Sequence, residues 1–133
     1  MKINITNKDI IDGSFVIPEG VTEIGYMAFS KCSNLASITI PDGVTKIGVR
    51  AFHDCTRLES IIIPESVTEI RNCAFEDCIR LSSIIIPEGV TEIGNWAFYG
   101  CSSLKKVSLP KKVKLGIDVF YRCHPDLKIV YRD

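Results

Sequence analysis

Cysteine is the residue type with the widest chemical capacity in this chain of 133 residues, which contains six of them. Five recur at an interval of 23 residues, shortened to 22 for the last: Cys32, Cys55, Cys78, Cys101 and Cys123. Thiols at one repeat position are expected to stack at roughly the 4.7–4.9 Å spacing of strands, wider than the ~3.8 Å between disulfide Cβ atoms. No Cys-x-x-Cys pair supplies the close ligands of a metal site. We therefore predict buried structural thiols, without disulfides, metal or cofactor.

Cys73 and the two histidines are the remaining candidates for catalysis. Cys73 lies outside the series, at a variable position that is either an exposed, reactive site or an ordinary part of a helical segment. His53 also stands at a variable position and is expected to be solvated, and His124 lies in an irregular final segment. Nothing in the sequence brings a nucleophile, a base and an orienting group together, so we predict no enzyme. The alternative is an enzyme that uses Cys73 or His53, which a thiol of depressed pKa would indicate.

Charge and hydropathy argue against two classes of partner. The chain has 16 Lys and Arg against 16 Asp and Glu, so no overall positive field attracts nucleic acid or an anionic membrane. No apolar run is long enough for a transmembrane helix, and we expect no membrane insertion. Residues 1–15 contain no apolar segment with a cleavage site, so we expect no export signal unless the sequence is trimmed. Asn4-Ile5-Thr6 fits a glycosylation acceptor, for which a chance match is the other interpretation.

The chain consists of copies of one unit of 23 residues. Each copy reads Leu-x-x-Ile-x-Ile-Pro-x-x-Val-x-x-Ile-Gly-x-x-Ala-Phe-x-x-Cys with few departures. The proline falls at Pro18, Pro41, Pro64, Pro87 and Pro110, and the phenylalanine at Phe29, Phe52, Phe75 and Phe98. The last unit loses one residue between Val113 and Phe120 and regains it after Cys123, which is typical of a terminal unit.

Each unit predicts one strand and one short helix. In Ile38-Thr39-Ile40 the apolar residues alternate and are β-branched, which favours a strand that Pro41 ends. The apolar spacing that follows Ile24 is typical of a helix. Because one unit cannot bury its apolar face alone, we predict an α/β solenoid of about five units, with parallel strands on one face and short helices behind. Residues 1–133 would form one domain, with an N-terminal cap (1–13), regular repeats (14–109) and an irregular C-terminal capping repeat (110–133).

The repeated motifs resemble the leucine-rich repeats of the BspA-like, or treponemal, family. These motifs are Leu-x-x-Ile-x-Ile-Pro, Val-Thr-x-Ile-Gly and Ala-Phe-x-x-Cys, and the match covers about residues 14–130. The resemblance implies a leucine-rich-repeat solenoid that is secreted or displayed on the cell surface of a host-associated microbe. It also implies an adhesion or protein-binding role without enzymatic activity. Because the chain as written shows no export signal, a cytoplasmic location and a trimmed sequence are the alternatives.

The residues between the inward-facing isoleucines are expected to point to solvent from the exposed face of the strands. Ile62 and Ile85 are apolar where a polar residue is typical, so they are candidate anchors for a partner. The alternative is that isoleucine serves only strand propensity there. The candidate partner-binding residues are Ser37, Thr39, Ser60, Ile62, Ser83, Ile85, Lys106 and Ser108. We predict a module that binds a protein, such as one of a host or its extracellular matrix, or a glycan-bearing surface.

Charge is unevenly distributed over the repeats, which leaves a second function open. An acidic column follows the prolines and the last unit is basic: Glu19, Asp42, Glu65 and Glu88, then Lys105, Lys106, Lys111, Lys112 and Lys114. The basic end is either a solubilising cap or a site for an anionic ligand. An acidic margin and a basic end also permit weak head-to-tail self-association. The alternative function is therefore a structural scaffold, or a self-associating spacer unit of a larger repeat array.

Overall fold

The computed structural model describes residues 10–132, which form a β-solenoid of about five coils. Residues 1–9 and Asp133 lie outside the described part, and with them the acceptor Asn4-Ile5-Thr6 and most of the predicted N-terminal cap, 1–13. The division into caps and regular repeats stays a prediction. Within residues 10–132, no helix has the length and apolar character needed to cross a lipid bilayer.

The first strand of each coil belongs to what we term the front ladder. Its strands are β1 (Ser14–Val16), β3 (Ser37–Thr39), β6 (Ser83–Ile85), β8 (Lys106–Pro110) and β10 (Lys128–Arg132). Neighbouring strands are parallel and pair at the repeat interval, so that Ser14 lies beside Ser37 and Ile85 lies beside Ser108. Burial alternates in β3 and β6, where Ile38 and Ile84 are buried between exposed neighbours, whereas four consecutive residues of the terminal strand β10 are exposed. The predicted parallel strands are therefore confirmed.

The front ladder is interrupted at the third coil, where residues 60–62 are not in a strand. β1 pairs with β3, and β6, β8 and β10 form a separate three-stranded sheet. Residues 61–63 are as β-branched as residues 84–86, so residue type does not account for the break. The backbone N–H of Glu59 donates to the carbonyl of Ala36 at 3.3 Å, whereas Lys105 donates to Ser82 at 2.9 Å. The strand predicted at this position is wrong, because the coils are more loosely hydrogen-bonded here.

A second strand in each coil, which sequence reasoning missed, forms the side ladder. Its members are β2 (Glu23–Ile24), β4 (Lys46–Ile47), β5 (Glu69–Ile70), β7 (Glu92–Ile93) and β9 (Lys114–Leu115), and they make one parallel five-stranded sheet. Strands of two residues are too short to show the alternation that predicts a strand. Threonine side chains reinforce the stacking, since the hydroxyl of Thr45 donates to the carbonyl of Thr22 at 3.2 Å. Thr68 and Thr91 repeat this bond at 3.2 and 3.3 Å.

The predicted helices are wrong, because the segments that carry the Ala-Phe-x-x-Cys motif are runs of turns. We term these segments, residues 25–32, 48–55, 71–78, 94–101 and 116–123, the turn ladder. Each contains two residues of positive φ, such as Arg50 at 56° and Asp54 at 58°, which a right-handed helix excludes. The N–H of Phe29 donates to the carbonyl of Ala51 in the next coil at 2.7 Å, whereas that of Ala28 bonds within its own turn. A helix would use both donors internally.

Apolar residues at equivalent positions form buried columns that run through the coils. The clearest column is aromatic, with stacked centroids 5.2, 5.1 and 5.1 Å apart and planes within 5° of parallel: Phe29, Phe52, Phe75 and Phe98. Phe15 contacts its N-terminal end edge-on, at 5.7 Å. No polar or charged residue among residues 10–132 is fully buried. The core is therefore continuous, and each coil depends on its neighbours for burial.

We expect Phe52→Ala to lower the free energy of unfolding by about 3–5 kcal/mol, because it removes a ring that is stacked on both sides. Urea unfolding followed by circular dichroism measures this change. Ile62→Ala in the neighbouring coil is the matched control, since Ile62 is exposed and its truncation should change stability by no more than about 0.5 kcal/mol. Equal losses in the two variants would contradict the stacked core.

Candidate functional site

The eight predicted partner-binding residues lie on one surface, which we term the front face. It consists of the side chains that the front ladder directs away from the core: Ser37, Thr39, Ser60, Ile62, Ser83, Ile85, Lys106 and Ser108. Seven are exposed and Ser108 is half-buried. Residues 60–62 keep this outward alternation although they are not in a strand. The placement follows the predicted alternation, and the binding role of these residues stays a prediction.

An apolar column runs along the front face. Ile62 is 84% exposed and Ile85 is 70% exposed, at equivalent positions of adjacent coils. Two valines that were not predicted as anchors continue the column at its ends, because Val16 lies beside Thr39 and Val130 lies beside Ser108. Both valines are exposed. Val130 pairs with Ser108 at an interval of 22 residues rather than 23, so the period of the repeat did not place it in this column.

The neighbouring column of the front face is polar and becomes basic at its C-terminal end. Ser83 lies beside Lys106, and Lys106 lies beside Lys128, so two lysines follow a row of serines. Ser108 is engaged within the chain, since its hydroxyl accepts a hydrogen bond from Nη1 of Arg132 at 2.6 Å. The same guanidinium pairs with Glu88 at 2.9 Å. Ser108 is therefore the least available of the eight predicted residues.

Two shallow depressions lie beside the front face rather than on it. One, of about 510 Å³, adjoins the start of the front strands and is lined by Glu59, Arg80, Ser82, Ser103, Lys105 and His124. The other, of about 320 Å³, is lined by Glu88, Val90, Thr91, Pro110, Lys111, Lys112 and Val113. Neither includes any of the eight predicted residues. The front face thus presents side chains to a surface, not to an enclosed small molecule.

The cysteine column is held by hydrogen bonds to the backbone of the preceding coil. The thiols of Cys55, Cys78 and Cys101 each donate to a phenylalanine carbonyl at 3.1 Å. Burial raises the pKa of all three thiols. Cys123 is half-buried, and burial raises its pKa to about 11. None of the six cysteines, all within residues 10–132, forms a disulfide, and the predicted buried column is confirmed for its first four members, Cys32 included.

Cys73 is buried, and its pKa is shifted in the opposite direction from that of a catalytic thiol. Burial, and then the negative charge of Glu76, raise the pKa of Cys73. An activated cysteine needs a lowered pKa, because the thiolate is the nucleophile. The interpretation of Cys73 as an exposed, reactive site is therefore wrong.

His53 is half-buried and paired, so the prediction of a solvated side chain is also wrong. Its Nδ1 lies 3.2 Å from Oγ of Ser30, and its Nε2 lies 3.3 Å from Oε1 of Glu76. A serine, a histidine and a carboxylate in line suggest acyl transfer, but that chemistry also needs donors for an oxyanion. The backbone N–H groups of residues 30–33 all bond to carbonyl groups of the chain. Neither depression described above is lined by Ser30 or His53.

We expect the folded chain to react slowly with a thiol reagent such as Ellman's reagent. Cys123 should react first because it is the most exposed cysteine of the column, although a pKa of about 11 against an ordinary 9.0 lowers its thiolate fraction about a hundredfold. All six thiols should react at once in denaturant, which is the control. Labelling at about pH 8, with mass spectrometry to locate each adduct, measures the order. Rapid modification of Cys73 in the folded chain would contradict its buried, raised-pKa state.

Residues 9–126 match the BspA type leucine rich repeat region in six copies. Among solved structures, the chain is similar to a leucine rich cell surface protein from Faecalibacterium prausnitzii A2-165, with 40% identity, a TM-score of 0.87 and coverage of 92% of this chain and 32% of that one. It is also similar to the T. pallidum leucine rich repeat protein TpLRR, with 35% identity, a TM-score of 0.83 and coverage of 88% and 57%. The pneumococcal vaccine antigen PcpA shares 29% identity, with a TM-score of 0.74 and coverage of 92% and 31%.

No curated protein matches this chain significantly. The chain spans less than two thirds of each of the three solved structures, so their similarity extends to one part of each protein. That part includes almost all the residues of this chain, and the repeated motifs of the sequence account for it. On this evidence the chain belongs to the BspA type leucine-rich-repeat family.

Proposed function

We propose that this chain is a non-enzymatic interaction module that binds a protein partner through its front face. The observation that carries the proposal is the pair Ile62 and Ile85, which expose most of their side chains in adjacent coils. Isolated exposed apolar residues are common, whereas adjacent ones with a polar surround are typical of a contact surface. Serines and lysines supply that surround along the neighbouring column.

The energetics of such a contact are modest and depend on both isoleucines together. Fully burying one isoleucine side chain contributes about 1.5–3 kcal/mol, so the pair contributes roughly 3–6 kcal/mol before the costs of association. The phenylalanine rings of these two coils stack 5.1 Å apart, so the two isoleucines, at equivalent positions of the same coils, lie side by side as one apolar patch. Val16 and Val130 extend the same column for a partner that covers its full length.

The surround favours a partner with an acidic region beside an apolar one. Serine side chains are small and let a partner approach the backbone of the front ladder, whereas Lys106 and Lys128 place two positive charges at its C-terminal end. Complementary charge steers encounter and fixes the direction of binding along the ladder. The F. prausnitzii protein is described as a cell surface protein, and that similarity supports a surface or secreted location for this chain.

A structural scaffold or self-associating spacer is the second candidate function. It is supported by the exposed acidic column of Glu19, Asp42, Glu65 and Glu88 and by the basic last unit. Contacts between an acidic margin and a basic end would be heterologous, and such contacts propagate rather than close. This function predicts a mass that rises with concentration, whereas the front-face function predicts a monomer with a foreign partner.

We expect the double variant Ile62→Lys, Ile85→Lys to bind its partner at least about tenfold more weakly than the unchanged chain, because it removes both apolar anchors. The unchanged chain is used to capture partners from mixtures of extracellular and cytosolic proteins. The affinity of each captured partner is then measured by surface plasmon resonance, and sedimentation equilibrium reports self-association.

Ile79→Lys, Ile117→Lys is the matched control, since it makes the same chemical change at two exposed isoleucines outside the front face. This control should retain partners that the front-face variant loses. Equal binding by the front-face variant and the unchanged chain would reject the front face as the site. Capture of copies of the chain alone would favour the scaffold, and capture that glycosidase treatment abolishes would identify a glycan-bearing surface.

A further inference from the structure

A cluster of potential metal ligands lies in the turn ladder, away from the front face. One ligand atom each from His53, Asp54 and Asp77 lie within 4.8 Å of one another. Oε1 of Glu76 lies 3.3 Å from Nε2 of His53, which places a third carboxylate beside the same imidazole. All four side chains are half-buried, so they are partly desolvated yet open to an ion from solvent. The prediction of no metal rested on the cysteines, and this cluster contains none.

The repeat geometry explains how four ligands come together. His53 and Glu76 occupy one repeat position, and Asp54 and Asp77 occupy the next, so two consecutive residues are stacked on two others across adjacent coils. The hydrogen bond from the N–H of Asp54 to the carbonyl of Glu76, at 2.9 Å, fixes the two coils in this register. Ligand atoms about 2.1 Å from a zinc ion lie about 3.4 Å apart in a tetrahedral site. Side-chain movements of about 1–1.5 Å therefore suffice to bring the ligand atoms of His53, Asp54 and Asp77, now within 4.8 Å of one another, around one ion.

The neighbours of the cluster orient it in the manner of a metal site. Oγ of Ser30 lies 3.2 Å from Nδ1 of His53, and a hydrogen bond at one ring nitrogen leaves the other, Nε2, for the carboxylates. Gly100 occupies the position of Asp77 in the following coil. A Cβ atom there would lie 2.1 Å from Oδ1 of Asp77, so the missing side chain provides the space that this carboxylate occupies.

The electrostatics of the cluster favour a cation. None of the ion pairs formed by lysine or arginine within residues 10–132 involves Asp54, Glu76 or Asp77. These carboxylates also act on the buried thiols. Burial is the largest cause that raises the pKa of Cys78 and of Cys101, and neighbouring thiols come next. The negative charge of Asp54 then raises the pKa of Cys78, and the charges of Asp77 and Glu76 raise that of Cys101. Three carboxylates lie around one imidazole, and a divalent cation would relieve the repulsion between them.

We propose that His53, Asp54 and Asp77 form a binding site for a divalent transition-metal cation such as Zn²⁺, with Glu76 as the fourth ligand. One imidazole and carboxylate oxygens suit zinc in a tetrahedral site and differ from the all-oxygen ligand sets of Ca²⁺ and Mg²⁺. The ligands come in pairs from two coils, so the ion joins the second and third copies of the turn ladder. Bound metal thus adds a cross-link on the side where the coils are held by turns.

Zinc chloride titrated into the full chain in an isothermal calorimeter tests the site. The titration is run without an affinity tag and at about pH 7.5, because protons compete with the metal for its ligands at lower pH. We expect one zinc ion per chain and a rise in melting temperature when zinc is added. His53→Ala and Asp77→Asn should each weaken zinc binding at least about tenfold. Asp77→Asn also keeps the fold testable, because asparagine tolerates the φ of 61° at this position.

His124→Ala and Asp42→Asn are matched controls that remove an imidazole and a carboxylate elsewhere, and both should bind zinc as the unchanged chain does. Manganese added in trace amounts should broaden the amide resonances of residues 53–54 and 76–77 before others. The absence of zinc binding, equal binding by Asp77→Asn and the unchanged chain, or broadening centred on other residues would each overturn the proposal. These outcomes do not bear on the front-face function, because the front face includes none of the residues of this cluster.

Discussion

The structure depends on one constraint: equivalent residues of successive coils must lie directly above one another at a fixed spacing. The phenylalanine rings stack 5.1–5.2 Å apart. The thiols of Cys55, Cys78, Cys101 and Cys123 each donate a hydrogen bond to the carbonyl of a phenylalanine in the preceding coil. Threonine hydroxyls repeat the same inter-coil pattern on the side ladder. A slip of one residue would break all of these contacts at once and turn buried residues to solvent. The register is therefore fixed jointly by the core and the backbone.

This constraint explains which parts of the fold the sequence predicts. A period of 23 residues and the alternation around Ile38 are enough to place the front strands and their buried side chains, because both patterns can be recognised from the residue types alone. The turn ladder is different. Its apolar spacing also fits a helix, and what excludes the helix is the positive φ of residues such as Met27, Arg50 and Cys73. Met, Arg and Cys have no preference for that conformation, so residue type gives no sign of it at these positions, and only the aspartates and the glycine among the other positive-φ residues of the turn ladder, such as Asp54 and Gly100, hint at it.

The candidate site was likewise predictable only where residue type and strand alternation determine it. Alternation along a strand places Ile62 and Ile85 on the front face, and the structure agrees. Interactions between distant side chains were not predictable. The contact of Arg132 with Ser108 joins residues 24 positions apart, and the repeat pattern does not indicate where the long side chain of Arg132 points. The pairing of His53 with Glu76 was predictable in part. Writing the units beneath one another shows that they share a position, but only the structure shows that both are half-buried and that Nε2 of His53 faces Oε1 of Glu76.

The stacking also limits the chemistry that this architecture can support. The backbone N–H groups that flank Ser30 are used in turns and between coils, so the donors that stabilise a developing oxyanion are already occupied. Side chains, in contrast, are repeated at a spacing of 5.1–5.2 Å in the phenylalanine column, close enough for two apolar groups to form one patch or for two coils to share a cation. A change of side chains in adjacent coils of one column is therefore the simplest way for a solenoid of this kind to gain a binding site. The proposed front-face site and the proposed cation site around His53 both fit that rule, in different parts of the coil.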